Sequence, residues 1–128
     1  MPKKILHIVE SAYRATLEEQ DDTVIWFAHA MKGAGADVSV VLRGNAVNYA
    51  LEGQDASGLA FGAKKQTQPP TLDADVAKLA GKGVEIFFVA EDAAERGIDP
   101  QGFVAGPKSI ARRELAALLG RHDLVFHW

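Results

Sequence analysis

Short apolar runs alternate with amphipathic stretches along the whole chain, and each run has the length of a buried strand rather than a helix. Residues 5–9, Ile-Leu-His-Ile-Val, form the first run and predict a central strand, with His7 as a hydrogen-bonded core or interface histidine. Glu10-Ser11-Ala12-Tyr13-Arg14 leaves that strand as a loop. Thr16 with Glu19 has the form of a capping box, and Asp21 or Asp22 would cap a later start equally well. Val24, Phe27, Ala28, Met31 and Ala34 then fall at helical spacing, and Gly33 and Gly35 close the helix. A second strand over residues 38–42 ends on Arg43-Gly44-Asn45, and a short helix over 46–51 is expected with Asn45 as its N-cap.

Residues 54–70, rich in Gly, Ser, Gln and Lys and ending in Pro69-Pro70, read as an exposed loop, long for a domain of this size. Thr71 or Asp73 caps a helix through Val76 and Leu79 that Gly81 and Gly83 stop. A third strand over 84–89 runs into a helix over 91–96 ended by Gly97. Residues 103–105 predict a short fourth strand. Ser109 is expected to cap an amphipathic helix through Ile110, Leu115, Leu118 and Leu119, and residues 124–128 form the last strand. Strands alternating with helices in this way predict one α/β domain, residues 1–128, with a parallel sheet covered on both faces.

Composition narrows the function more than the fold. A chain of 128 residues buries roughly two-thirds of its unfolded surface and folds without staples. The net charge of −3 supplies no basic field for a phosphate backbone, so no nucleic-acid partner is expected. The N-terminal apolar run is too short for a signal segment, and no stretch approaches the ~18 apolar residues of a membrane helix. A cytoplasmic protein with no membrane contact is the expectation. There is no cysteine, so neither disulfides nor thiolate chemistry is available.

Candidate chemistry gathers at the strand C-termini, where open parallel sheets bind their ligands. Glu10 and Ser11 follow the first strand, Arg43 and Asn45 the second, and Glu91, Asp92 and Glu95 the third. The last three complement a helix dipole in the plain reading, or supply an acid, base or cation ligand in the functional one. Arg43-Gly44-Asn45 is either a strand-to-helix turn or a seat for a small anion, with Tyr13 and Arg14 at its mouth. An anion is expected nearer Arg43 than Glu91, because the carboxylates repel it. His122 and His127 lack metal-pair spacing, no zinc, hydrolase or nucleotide motif is present, and neither metal nor cofactor is expected. Lys64-Lys65 and Arg112-Arg113 read as solvated pairs, and Trp26 and Trp128 as core or interface anchors.

Four stretches, HIVESAYRATLE, FAHAMKGAGADVSVVLRGNAV, FFVAEDAAERGI and IARRELAALLGRHDLVFHW, occur in an order and spacing that resemble the DsrE/DsrF-like family, which includes the TusD-type sulfur-relay proteins. The resemblance implies a three-layer α/β/α fold with a five-stranded, mostly parallel sheet, assembled as trimers or hexamers. Sulfur-carrying relatives hold a cysteine eight residues before the glycine of the Arg-Gly pair, and here that position is Val89. Some carry a second one three residues later, here Asp92. Neither side chain can hold sulfane sulfur. The reading that follows is a divergent DsrE-like homo-oligomer, without the persulfide cysteine, that docks a protein or small-molecule partner in sulfur metabolism and is not itself an enzyme. Its alternatives are an enzyme or anion-binding protein with a cleft rebuilt from Glu10, Ser11, Tyr13, Arg43, Asn45, Val89, Glu91 and Asp92, and a structural partner of a cysteine-bearing paralogue.

Overall fold

The computed structural model describes residues 2–13 and 22–128. The expected capping box at Thr16 and Glu19, the alternative cap Asp21, and Arg14 lie outside the described residues. Five parallel strands form the sheet: β1 (Lys4–Val9), β2 (Asp37–Leu42), β5 (Glu85–Val89), β6 (Lys108–Ile110) and β7 (Leu124–His127). A separate hairpin of β3 (Ala60–Phe61) and β4 (Lys64–Lys65) interrupts the long polar loop. The spatial order of the large sheet is β6-β5-β2-β1-β7. The chain therefore steps outward in one direction from β1 to β6 and then returns across the sheet to place β7 on the other side of β1.

Strand alternation divides the core in two. Val9, Val38, Val40, Leu42, Ile86 and Phe88 face α1 (Thr23–Gly33) and α2 (Leu72–Gly81), whose Val24, Ile25, Ala28, Val76 and Leu79 meet them. Leu6, Ile8, Val41, Phe87, Val89 and Ile110 point the opposite way, onto Leu118 of α4 (Leu115–Gly120). Central strands covered on both faces read as continuous apolar runs, which is why their periodicity was that of buried strands. At ~1.5–3 kcal/mol for each fully buried aliphatic side chain, these two clusters carry the fold.

Asp22 caps α1, accepting from Val24 N–H and Ile25 N–H at 2.9 and 3.1 Å through Oδ2, while Oδ1 accepts from the buried Tyr49 hydroxyl at 2.7 Å. That bond and burial push the Tyr49 phenol well above its ordinary range, burial being the larger cause. His7 is the core histidine expected of it. Its Nδ1 accepts from Trp128 Nε1–H at 2.9 Å, and its ring stacks on Phe126 and Trp128.

Four local expectations are corrected. The segment after β2 is a 3-10 helix, Gly44–Ala50, capped in position by extended Arg43. Gly44 adopts φ 55°, and the helix starts two residues sooner than expected, which puts Asn45 inside the first turn, so Asn45 does not cap. Thr71 stands at the N-cap of α2 without a side-chain bond, and Asp73 instead accepts from Gly53 N–H at 2.8 Å. The fourth strand is β6, not residues 103–105. Phe103 bridges Leu51 and sets its ring edge-on to Phe88, while the sheet takes up the polar Lys108-Ser109 edge that a search for apolar runs passes over. Ser109 therefore caps nothing. A 3-10 turn, Arg112–Glu114, precedes α4, with Glu114 accepting from Ala111 N–H at 3.1 Å.

Candidate functional site

The carboxyl ends of the five strands bring Glu10, Arg43, Val89, Arg112 and His127 to one rim of the sheet. This rim has two parts with different chemistry.

On the β2-β5-β6 side, α3 (Ala90–Glu95) starts directly from Val89, which is fully buried among the residues facing α4. Asp92, one turn on, is 5% exposed and accepts from Gly44 N–H at 2.7 Å and from Arg112 Nη2. The same Arg112 Nη2 reaches Glu95 at 2.9 Å, and the Arg112 backbone N–H donates to Glu91 Oε1 at 2.8 Å. Arg96 completes the corner, donating from Nε to Asn45 Oδ1 at 2.9 Å and from Nη1 to the Asp92 carbonyl at 3.2 Å. Burial by itself would raise the Asp92 carboxyl. The Gly44 N–H and the Arg112 guanidinium outweigh it and hold that carboxyl below its ordinary range. The Glu91 carboxyl is lowered chiefly by its bond from Arg112 N–H. Arg112 is raised in turn, first by Asp92 and then by Glu95. The chain thus supplies its own anion to the Gly44 N–H, the donor that the sequence offered to a ligand.

On the β2-β1-β7 side the carboxylate is Glu10. Its Oε2 lies 2.8 Å from His127 Nε2 and its Oε1 3.6 Å from Arg43 Nε. Glu10 lies over Gly44, where an added Cβ would come within 3.3 Å of Glu10 Cγ. Arg43 Nε is itself buried and has no hydrogen-bond partner among the described residues. Ser11 is exposed, and its N–H and that of Glu10 both donate to the Trp128 carbonyl, at 3.2 and 3.1 Å. Tyr13 turns away from this rim. It holds a left-handed φ of 57°, donates from its hydroxyl to Gln54 Oε1 at 2.8 Å, and lines a cavity of about 190 Å³ with Gln54, Asp55 and Pro70.

Of the expected site residues, the structure thus groups Asn45, Glu91 and Asp92 in one corner, Glu10 and Arg43 in another, and buries Val89 beneath the first. Reasoning from sequence missed Arg112 and Arg96, read as surface charge or not singled out, and His127, weighed only as half of a metal pair. The charged residues after each strand were the available signal. What joins them is strand order, which local patterning does not contain. Among the described residues no group of three or more His, Asp or Glu is placed to hold a metal ion, and no helix is long and apolar enough to cross a membrane.

The model of the DsrE/DsrF-like family matches residues 3–128. This chain belongs to the DsrE/DsrF-like family. Among solved structures, its fold is similar to that of the ychN protein from E. coli, with a TM-score of 0.73 at 17% identity, covering 98% of this chain and 99% of that one. It is also similar to MTH1491, a protein of unknown function from Methanobacterium thermoautotrophicum, with a TM-score of 0.62 at 12% identity and the same coverage. None of the curated proteins matches it. As a DsrE/DsrF-like protein it is related to the sulfur-relay proteins, and with no cysteine in 128 residues it keeps their fold without a thiol.

Proposed function

We propose that this chain is an assembly module of sulfur metabolism that carries no sulfur itself, associating with its own copies as a trimer or hexamer and docking a partner. The observation that carries this reading is the edge strand β7. Leu124, Val125 and Phe126 are 40, 41 and 38% exposed on consecutive positions, and Leu119 of α4 is 36% exposed. An edge strand offers unpaired N–H and C=O groups along one side, and native proteins blunt such edges with charge, proline or a cover. Here three apolar residues in a row stand where that protection is usual. Burial of apolar surface at ~25 cal/mol per Å² favours covering them, and a second copy of the chain is the cover that is always at hand. Sedimentation velocity at micromolar concentration tests this. The wild-type protein should sediment as an oligomer, and Val125→Lys, which puts a charge in the middle of the edge without touching the core, should shift it toward monomer. A wild-type monomer would remove the reading, and an unchanged Val125→Lys oligomer would remove β7 from it.

A further inference from the structure

The chain's path across the sheet singles out one crevice. Every step from β1 to β6 moves to the same side, and the return to β7 reverses it, so the strand order switches between β1 and β7. In open parallel sheets, ligands bind outside the carboxyl ends at such a switch point. Glu10, which follows β1, and His127, which ends β7, stand at this place, with Arg43 beside them at the end of β2.

His127 differs from the other histidines by its partner. His7 is buried and bonded to Trp128, His29 bonds the Asp75 carbonyl, and His122 bonds the Leu118 carbonyl. Among the described residues, His127 is the one histidine that bonds a carboxylate. An ionised carboxylate only accepts, so Nε2 carries the hydrogen and the lone pair of the neutral ring is on Nδ1, which no described residue engages. Glu10 is also a strand-end carboxylate that Arg112 does not hold. Glu91, Asp92 and Glu95 are all held by Arg112. Stability does not account for the arrangement, since the side chains of Glu10, His127 and Arg43 are 45, 54 and 32% exposed and ion pairs of that exposure contribute ~0–1 kcal/mol.

We propose that His127 and Glu10 form an acid–base dyad that activates water against the carbonyl of a small acyl ester, with Arg43 holding an anionic group of that ester. The His127 side chain is 54% exposed, so water is the nucleophile within its reach. As the water oxygen attacks the carbonyl carbon, its O–H bond breaks, an Nδ1–H bond forms, and the carbonyl π pair moves onto oxygen. Collapse of that adduct breaks the bond to the leaving oxygen, which departs with its electron pair and recovers the proton from Nδ1. The products are the carboxylic acid and the alcohol. Glu10 acts as a positioning residue, fixing the tautomer and the ring.

The test is hydrolysis of mono-4-nitrophenyl succinate, which carries a carboxylate, and of neutral 4-nitrophenyl acetate, by the full chain. The expected result is turnover of both above the buffer rate and a loss of about 100-fold in kcat in His127→Gln, the lower range for a general base. His122→Gln, which removes a half-buried imidazole outside the dyad, should turn over like the wild type. Glu10→Gln should lower kcat with KM unchanged, and Arg43→Ala should raise KM for the succinate ester and leave that for the acetate unaltered. Circular dichroism of each variant separates these effects from unfolding. No turnover above buffer by the wild type, or equal losses in His127→Gln and His122→Gln, would overturn the proposal, and neither result bears on self-association.

Discussion

Removing the Asp92 carboxylate tests whether the β2-β5-β6 corner is a structural lock. In Asp92→Ala the Gly44 N–H loses its acceptor in a site where Asp92 itself was 5% exposed, so little water replaces it. A buried donor left unsatisfied costs about 1–3 kcal/mol. Arg112 also loses a partner, but its side chain is 43% exposed and keeps Glu95, so that loss contributes only ~0–1 kcal/mol. The sum is a destabilisation of about 1–4 kcal/mol. Asp92→Asn retains an oxygen for the Gly44 N–H and gives up only the charge, so it should cost about 1 kcal/mol. The sign of the pH dependence follows from the direction of the shift. The folded-state Asp92 carboxyl lies below its ordinary value, so the stability it contributes is fully present above the unfolded value of about 3.9 and is lost as pH falls through the folded value. Urea unfolding followed by tryptophan fluorescence should therefore show a constant deficit for Asp92→Ala between pH 5 and 8 that narrows below pH 4. A deficit under 0.5 kcal/mol at neutral pH, or one that persists undiminished in acid, would refute the assignment of Asp92 as an internal anion.

Two further outcomes follow from buried groups. Incubation with a persulfidated donor should leave the intact mass unchanged, because the chain has no cysteine and Val89 stands where sulfur-carrying relatives hold their cargo; a stoichiometric gain of one sulfur atom would contradict it. His7 is wholly buried and burial lowers its pKa, so below about 6.5 the unfolded chain takes up a proton that the folded chain resists, and stability falls with pH. His7→Gln keeps an acceptor for Trp128 Nε1–H but does not titrate, so its urea midpoint should lie below the wild type at pH 8 and converge on it toward pH 5, whereas a gap constant across that range would exclude a titrating His7.

The fold was legible because most of its strands are buried on both faces. Residues 5–9, 38–42 and 84–89 show as apolar runs whatever the strand order, and Asp22 shows as one of several candidate caps because its side chain can reach the N–H groups two and three residues on without tertiary help. What failed was local structure decided by distant contacts. Phe103 looks like a strand and pairs instead with Leu51, while Ser109 looks like a helix cap and joins the sheet with Lys108 at an edge where polar side chains are tolerated. Asn45 has the right chemistry for a cap, but the helix starts at the left-handed Gly44 and leaves Asn45 two positions past the cap. The site was legible in its residue types and not in its pairings. Arg112 reads as one of two solvated arginines until β6 lies beside β5 and carries it to Asp92.

The two halves of the rim explain each other through Gly44. Its N–H is drawn into the first corner by Asp92, and its missing Cβ leaves the space over which Glu10 lies in the second. A side chain at that position would disturb both, through the positive φ on one side and the 3.3 Å approach to Glu10 on the other. One corner is thereby closed by the chain's own charges, over a Val89 that is fully buried. A thiol placed there would face Leu118 and Ile110 rather than solvent, so restoring the family's cysteine would not by itself restore its chemistry. The other corner keeps a carboxylate, an imidazole and a guanidinium within reach of water. Divergence in this chain is therefore more than the loss of one atom of sulfur. On this rim the water-accessible polar groups lie at the ends of β1, β2 and β7, while Val89 at the end of β5 is buried.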